Sequence, residues 1–224
     1  MKIRNHIRFT TLATLTMLFA FICAGITWAR YKTLVWEIGT KENYPAFLTS
    51  EGVTIAVEPL YTDELAARVF DKKDLMSRGI MPLGVVIFND NDFPVEIDSL
   101  SMELIHRERA DVHIKTMPPN EVVWRISRRD KSWQTQRIPH LTQDDLDRDV
   151  LEDFDDKFLL NKTVASRGKG GGFLYLHLPV TENVEEFLSG ALLYIPRIHR
   201  LDDGSRMIYF EVELAPAIRN QQSQ

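Results

Sequence analysis

A run of 21 uncharged residues, residues 9–29, separates a short basic N-terminus from the rest of this chain. At about 1.5 Å per helical residue the run spans about 30 Å, the thickness of the hydrocarbon core of a bilayer. Residues 1–29 are therefore predicted to be a signal anchor or a cleaved signal peptide. Thr27-Trp28-Ala29 resembles a cleavage site, but the run exceeds the usual signal core of about 7–15 residues, which favours the anchor.

No second long apolar run follows, so we expect the whole remainder on one side of the membrane, in the periplasm or at the cell surface. Lys2, Arg4 and Arg8 precede the run, and this basic excess favours a cytoplasmic N-terminus. A lipid anchor on Cys23 is the alternative, but the bulky Ile22 before it does not fit a bacterial lipobox. We therefore expect contact with the membrane through residues 9–29.

The charge of the remaining chain excludes one large class of partners. From residue 30 onward there are 24 Lys and Arg residues and 32 Asp and Glu residues, a formal charge of −8. A general nucleic-acid binder needs a basic surface to neutralise phosphates, so we expect no nucleic-acid partner.

The single cysteine of the chain, Cys23, lies inside the apolar run. The rest of the chain therefore has no thiol for a disulfide, a metal or a nucleophile. Its stability must come from a hydrophobic core, which about 195 residues are enough to build.

The pattern of short apolar segments predicts a mostly β fold. Strand-like segments are residues 53–57, 83–88, 95–97, 100–104, 112–114, 122–126, 173–178, 192–198 and 208–214. Residues 83–115 are interpreted as a β-meander, residues 122–126 as one more strand and residues 192–214 as a terminal hairpin. Without βαβ alternation, this pattern predicts an antiparallel immunoglobulin-like β-sandwich.

Four boundaries follow from the same pattern. Residues 30–50 lack a clear period and are interpreted as a stalk, residues 51–215 as the β-sandwich domain, and residues 216–224 as a polar tail. An amphipathic helix is inserted at residues 142–160. A shorter helix is predicted after Thr62, whose hydroxyl can cap it.

The inserted helix has the clearest helical period in the chain. Leu146, Val150, Phe154 and Phe158 fall four residues apart on one stripe, which we expect to be buried. Asp149 and Asp153 are assigned to a solvated acidic face. Reversing their charge is therefore expected to cost much less stability than replacing Phe154 by Ala.

The segment of residues 84–104, which contains Asn89-Asp90-Asn91, resembles the core of immunoglobulin-like water-stress domains of the LEA14 type. That family has Asn-Pro-Asn at the turn between two strands, where this chain has Asn-Asp-Asn. The order of an export segment, a first strand, a meander and a final hairpin also resembles that of uncharacterised bacterial secreted or membrane-anchored proteins. The resemblance implies a β-sandwich without catalysis, and it supplies no binding residues.

Five acidic residues have the spacing of calcium ligands in an EF-hand loop: Asp145, Asp147, Asp149, Asp153 and Asp156. The sixth position of such a loop needs Gly for a sharp turn, and here it is Val150. The acidic face of a helix is the preferred interpretation, and weak binding of a divalent ion is the alternative.

Two neighbouring segments carry opposite charge. Residues 125–140 have a net charge of +4 with Trp133 among them, and residues 142–157 have a net charge of −6. We expect the two to attract each other within the molecule. An anionic lipid or wall polymer and an envelope protein are the alternative partners of the basic segment.

Three further motifs have ordinary interpretations. Residues 168–172, Gly-Lys-Gly-Gly-Gly, are expected to be a flexible connection, because a P-loop is followed by a helix and this segment is followed by a strand. His106 and His113 flank a hairpin turn, where they could face each other as a solvated pair or hold a metal. Asn161-Lys162-Thr163 matches a glycosylation sequon.

We find no motif that specifies a catalytic, cofactor-binding or metal-ligating residue, so we expect no enzyme and no cofactor. The expected function is that of a non-enzymatic cell-envelope domain with a binding or structural role. The alternative is an extracytoplasmic hydrolase whose site is assembled from residues distant in sequence. A cavity in which carboxylates or histidines converge would favour that alternative.

Overall fold

The computed structural model describes residues 31–130, 143–160, 162–178, 183–207 and 209–221. The chain divides into two units, Met1–Tyr31 and Lys32–Gln224, and the description below concerns the second. Within the described residues no helix is both long enough and apolar enough to cross a membrane. The predicted membrane segment, residues 9–29, lies outside them.

Antiparallel strands form most of the described fold. They are β1 (Ala46–Ser50), β2 (Val53–Pro59), β3 (Ile80–Asn89), β4 (Val95–Ile97), β5 (Glu103–His106), β6 (Arg109–Met117), β7 (Lys162–Val164), β8 (Lys169–His177), β9 (Ala191–Ile195), β10 (Ile198–Arg200) and β11 (Phe210–Glu213). Eight form a sheet in the order β1-β2-β3-β8-β6-β5-β9-β11, and β10-β4-β7 form a small second sheet. The predicted mostly β, antiparallel class is confirmed.

The helices of the described residues are α1 (Asp63–Ala66), α2 (Pro119–Asp130), α3 (Gln143–Lys157), α4 (Val184–Ser189) and α5 (Ala215–Gln221). The hydroxyl of Thr62 accepts a hydrogen bond from the backbone N–H of Leu65, at 3.2 Å, and so caps α1 as predicted. The inserted helix predicted at residues 142–160 is α3.

The strands at the centre of the large sheet are buried on both faces. Side chains of successive strand residues point to opposite faces. Val53, Ile55 and Val57 of β2 therefore join the main core, while Ala56 belongs to a second cluster on the other face. All ten residues of β3 are buried. Residues 80–88 of β3 are all nonpolar, which follows from this double burial.

Aromatic side chains cover the outer face of β8. The ring centroids of Phe70 and Phe154 are 4.6 Å apart, and those of Phe154 and Tyr175 are 5.2 Å apart. The Tyr175 hydroxyl donates to the carbonyl oxygen of Phe154 at 2.7 Å. Val150 and Phe154 of the predicted stripe are buried, Phe158 follows the end of α3, and nothing is described of the Leu146 side chain.

The boundaries predicted at the two ends of the domain differ from the structure. Residues 46–50 of the predicted stalk are β1, which pairs with β2, and Trp36 and Ile38 pack on the outer cluster. In the predicted tail, α5 buries Ala217 and Ile218. Both segments lack a long period because their apolar residues are few and pack on a surface that other elements form.

The predicted meander is correct only for the hairpin of β5 and β6, in which Glu103 pairs with Lys115. β3 and β4 follow each other along the chain but belong to different sheets. Residues 122–126 lie in α2 and not in a strand, because Pro119 occupies the first position of a helix, where its missing N–H costs nothing. In the predicted terminal hairpin, β9 and β11 do pair, but β10 between them joins the small sheet.

The large sheet curves so that its two edge strands approach each other. The end of β6, Thr116 and Met117, pairs with β8, while an earlier part of β6 pairs with β5. β6 therefore belongs to both halves of the sheet. At the two ends of the strand order, β1 lies in contact with β11.

A buried ion pair fixes α3 to the loop after α1. The side chain of Asp153 is 0% exposed and that of Lys157 is 10% exposed, and their charged atoms are 2.5 Å apart. The Lys157 ammonium also donates to the carbonyl oxygen of Val69 at 2.9 Å and lies 5.0 Å from the centre of the Phe70 ring. The assignment of Asp153 to a solvated face is therefore wrong.

Replacing Asp153 by Ala is expected to lower the free energy of unfolding by about 3–5 kcal/mol, because it leaves the Lys157 ammonium buried without its carboxylate. The control Asp156→Ala, which removes an exposed carboxylate of the same helix, should cost less than about 0.5 kcal/mol. Urea denaturation of the three proteins measures both values. Replacing Asp153 by Leu together with Lys157 by Met should recover most of the loss, and equally small losses in the two single variants would contradict the role of the pair.

Candidate functional site

A cavity of about 540 Å³ lies between the turn that joins β5 to β6 and the helix α4. We call it the β5–β6 cavity. Its lining includes His106, Glu108 and Arg109 from the turn, and Asn183, Glu186 and Phe187 from α4 and its cap. The β5–β6 turn and the start of α4 thus bring polar side chains together beside the buried ring of Phe187.

His106 is held at the base of this cavity by backbone contacts. A register shift between Ile105 and His106 interrupts the pairing of β5 with β6, and such irregularities redirect a side chain. The His106 residue is only 7% exposed. Its Nδ1 accepts a hydrogen bond from the backbone N–H of Glu108 at 3.3 Å, so the neutral ring carries its proton on Nε2.

The imidazole of His106 also fits closely against α4 and the residue that ends it. Its ring centroid is 5.2 Å from that of Phe187. A Cβ atom at Gly190 would lie 2.6 Å from Nε2, so only glycine allows the ring this position. Among the described residues Nε2 has no hydrogen-bond partner, and it is the polar atom of His106 that remains for a ligand.

The charged side chains of the β5–β6 cavity lie at its exposed rim. Glu108 and Glu186 are exposed, and within the described part of the chain neither has an ion-pair partner. The Arg109 guanidinium lies 5.6 Å from the centre of the Phe187 ring, where the face of the ring attracts a cation. The cavity therefore offers two uncommitted carboxylates and one engaged cation.

The remaining polar groups of the cavity serve the helix. The side-chain oxygen of Asn183 accepts from the backbone N–H of Glu186 at 3.5 Å and caps α4. The Ser189 hydroxyl donates to the carbonyl oxygen of Glu185 at 2.8 Å. The proton of this serine is thus directed at the backbone and not at His106.

A second cavity, of about 530 Å³, lies between the segment before β1, the end of β2, α1 and α5. The hydroxyl of Tyr44 accepts from the backbone N–H of Gly39 at 3.1 Å, and Glu58 accepts from the Trp36 indole at 3.3 Å. Burial, with a smaller effect of the Glu58 charge, raises the pKa of Tyr44. Because local partners already occupy these two groups, we take the β5–β6 cavity as the candidate site.

The structure does not bring His106 and His113 together. His113 pairs with Ile105 across the hairpin, and its Nδ1 lies 2.8 Å from a carboxylate oxygen of Glu103. The predicted histidine pair is therefore wrong. In the parts of the chain that are described, no group of three or more histidine, cysteine or acidic side chains has the geometry of a metal site.

The acidic residues with EF-hand spacing lie on the helix α3, as the preferred interpretation required. Asp153 of this set is committed to Lys157, and nothing is described of the side chains of Asp145 and Asp147. The basic segment begins in α2, where Arg125 donates to Glu121 at 2.8 Å. α2 and α3 are in contact, but residues 131–142 and Asn161 lie outside the described residues.

The glycines of residues 168–172 are not a flexible connection, because residues 169–172 begin the long strand β8. A Cβ atom at Gly171 would lie 2.6 Å from the carbonyl oxygen of Val85, and one at Gly172 would lie 2.9 Å from that of Lys157. Lys169 donates to the carbonyl oxygen of Ile38 at 2.7 Å. These glycines allow close packing of neighbouring backbone and form no phosphate site.

Sequence reasoning did not identify the site around His106. Of its elements, the strands on either side of the β5–β6 turn correspond to predicted segments, residues 100–104 and 112–114. The packing of His106 on Gly190 depends on contacts between segments more than 80 residues apart in the numbering. A pairing of this kind has no local sequence signal.

Replacing Gly190 by Ala is expected to lower the free energy of unfolding by about 1–3 kcal/mol, because the new methyl group overlaps the His106 ring. Gly190 has φ −97°, so the loss would not come from backbone strain. In the double variant with His106→Ala the methyl group has room, and the loss should be smaller than the sum of the two single losses. Thermal or urea unfolding measures this cycle, and additive losses would contradict the contact.

The stability of the fold depends on pH through the carboxylate of Glu103. The hydrogen bond from His113, opposed by burial and assisted by Lys115, lowers the pKa of Glu103. Its ionised form therefore stabilises the fold above the unfolded pKa of about 4.3, and this contribution is lost as the pH falls through the folded value.

We expect Glu103→Gln to be less stable than the wild type by up to about 1 kcal/mol near neutral pH, since the pair is partly exposed. The difference should vanish in acid, where the wild-type carboxyl is also neutral. Urea unfolding over a pH series measures it. A difference that grows as the pH falls would show that the sign is wrong.

Comparison with known proteins does not assign the chain to a family. No family model matches it, no curated protein matches it, and no solved structure matches it. The β5–β6 cavity is therefore interpreted from its own residues and their geometry.

Proposed function

We propose that this chain is a non-enzymatic domain of the cell envelope, attached to the membrane through residues 9–29, that binds a ligand in the β5–β6 cavity. The domain is proposed to be an immunoglobulin-like β-sandwich outside the cytoplasm. The antiparallel class and the curvature of the large sheet support that architecture. An envelope protein or an anionic polymer stays a proposed partner of the basic segment, residues 125–140.

The observation that carries the proposal is the state of His106. A nearly buried imidazole with one nitrogen bonded to the backbone presents a single N–H donor in a fixed direction. Binding sites typically combine an apolar base with a few well-placed polar groups. Phe187 and His106 supply that base, and Asn183, Glu108 and Glu186 supply polar groups around it.

The same geometry supports binding over hydrolysis. A nucleophile is activated when a base lies within hydrogen-bond reach and a third group orients that base. The Ser189 hydroxyl donates to a backbone carbonyl, and the Nδ1 atom of His106 is occupied by a backbone N–H. Within the described residues no hydrogen bond joins the side chains of His106, Glu108 and Glu186.

An extracytoplasmic hydrolase is the second candidate function. The observation that favours it is that one histidine and two glutamates line a single cavity. If the carboxylates act in acid and base roles, the cavity should release cleaved products from an envelope component. A binding domain should retain its ligand intact.

The proposed location predicts that protease added to intact spheroplasts digests residues 32–224 of the full-length chain. Immunodetection with antibody to the domain measures the loss. Full protection of the domain would overturn the extracytoplasmic location. An N-terminus at Arg30 would show the cleaved form, and an intact N-terminus would show the anchor.

The proposed binding is tested with the immobilised full-length chain in detergent, incubated with soluble material from its own envelope. His106→Leu, which keeps apolar bulk and removes the donor, should lose the retained compound identified by mass spectrometry. The matched control Arg68→Gln, at the second cavity, should retain it. Equal retention by all three proteins would overturn the β5–β6 cavity as the site, and His106-dependent cleavage products would establish the hydrolase.

A further inference from the structure

We propose that the β5–β6 cavity takes a small polar ligand that carries an ammonium group beside a hydroxyl or carbonyl oxygen. An amino sugar and the amino terminus of a peptide both have this chemistry. The inference rests on the proposed function, because it names the ligand class of the same site. Two independent observations carry it, the charge of the rim and the uncommitted donor of His106.

The charge of the rim favours a cation. Glu108 and Glu186 line the cavity, and in the described part of the chain neither carboxylate is paired with a cation. Arg109, the one basic residue of the lining, is engaged on the face of Phe187. With two carboxylates and one guanidinium the lining has a net formal charge of −1, which favours an ammonium group over a phosphate or carboxylate.

The first turn of α4 disfavours the usual alternative, an anion held by a helix N-terminus. Glu185 and Glu186 occupy the first turn, and the side chain of Asn183 already accepts the N–H of Glu186. One N–H group of the helix start is thus capped, and the two acidic side chains offset the positive field that an anion needs.

His106 supplies the second half of the recognition. The residue is more than nine-tenths buried, and its Nε2–H has no partner among the described residues, so it can donate to an oxygen of the ligand. The bonded Nδ1 atom fixes the ring, and an oxygen of the ligand can accept the hydrogen bond of this N–H group. The required ligand therefore has an oxygen acceptor close to its ammonium group.

Isothermal titration of the full-length chain in detergent tests the inference with two pairs of probes. Glucosamine is compared with N-acetylglucosamine, and alaninamide with N-acetylalaninamide. In each pair acetylation removes the charge and keeps the neighbouring oxygen. We expect at least one free amine to bind about fivefold or more tightly than its acetylated form, the effect of one partly exposed ion pair, and the pair that responds distinguishes the sugar from the peptide.

Glu108→Gln and Glu186→Gln should each weaken amine binding by about twofold to fivefold. Glu211→Gln is the matched control, because it removes an exposed carboxylate of β11 that does not line the cavity, and it should leave the affinity unchanged. An equal loss in all three variants would overturn the inference, since net charge alone would explain it.

Two other results overturn the inference and separate it from the proposed function. If the acetylated and free amines bind equally and His106→Leu abolishes both, the cavity is a binding site but not one for amines. If no probe binds, the amine class is wrong. In that case His106-dependent retention of an envelope compound preserves the proposed function, and retention that does not depend on His106 overturns both.

Discussion

The side-chain amide of Asn89 joins the two sheets, and the turns around it depend on this junction. Asn89 is 1% exposed at the end of β3. Its nitrogen donates to the carbonyl oxygen of Phe93 at 2.7 Å and to that of Ala165 at 3.1 Å, while its oxygen accepts from the N–H of Asn91. A buried amide must satisfy its polar atoms. This requirement fixes the start of the small sheet relative to the large one. The turn after β3 also bonds to two other turns. The backbone N–H of Asp90 donates to the carbonyl oxygen of Gly52, and the backbone N–H of Arg167 donates to the carbonyl oxygen of Asn91.

Because both faces of the central strands are buried, other segments of the chain must cover the outer face of the large sheet. The inner face of β2, β3 and β8 belongs to the main core, but the outer face carries Phe173 and Tyr175 and would expose large rings without a cover. The segment that contains Trp36 covers one part, and α3 covers another with Phe154. Because α3 approaches the sheet closely, its buried side includes Asp153 as well as apolar residues. The Asp153 carboxylate can be buried there because it is paired with the Lys157 ammonium.

Local sequence patterns were enough to predict the elements that have their own period or cap. The Thr62 cap and the Val150 and Phe154 stripe agree with the structure, and β2 is a strand as predicted, although its alternation is typical of a strand with one exposed face and both faces of β2 are buried. The predictions that were wrong concern contacts between distant segments. The predicted stalk and tail pack on the sheet, and the glycines before Phe173 admit backbone from β3 and from the end of α3. The candidate site belongs to the second group, because His106 acquires its environment from Phe187 and Gly190.

The candidate site combines a rigid base with an exposed rim, and each part has a separate physical origin. The His106 ring is fixed by strand pairing, by the hydrogen bond to its Nδ1 atom and by its fit against Gly190. Because the ring is already fixed, ligand binding loses no side-chain entropy at His106. Glu108 and Glu186 lie in water and must be ordered by the ligand, which limits what each contact contributes. Such a site owes its selectivity mainly to the fixed donor, and its rate of association mainly to the charged rim. The distribution of rigidity around this cavity is therefore the physical reason for proposing binding as its function.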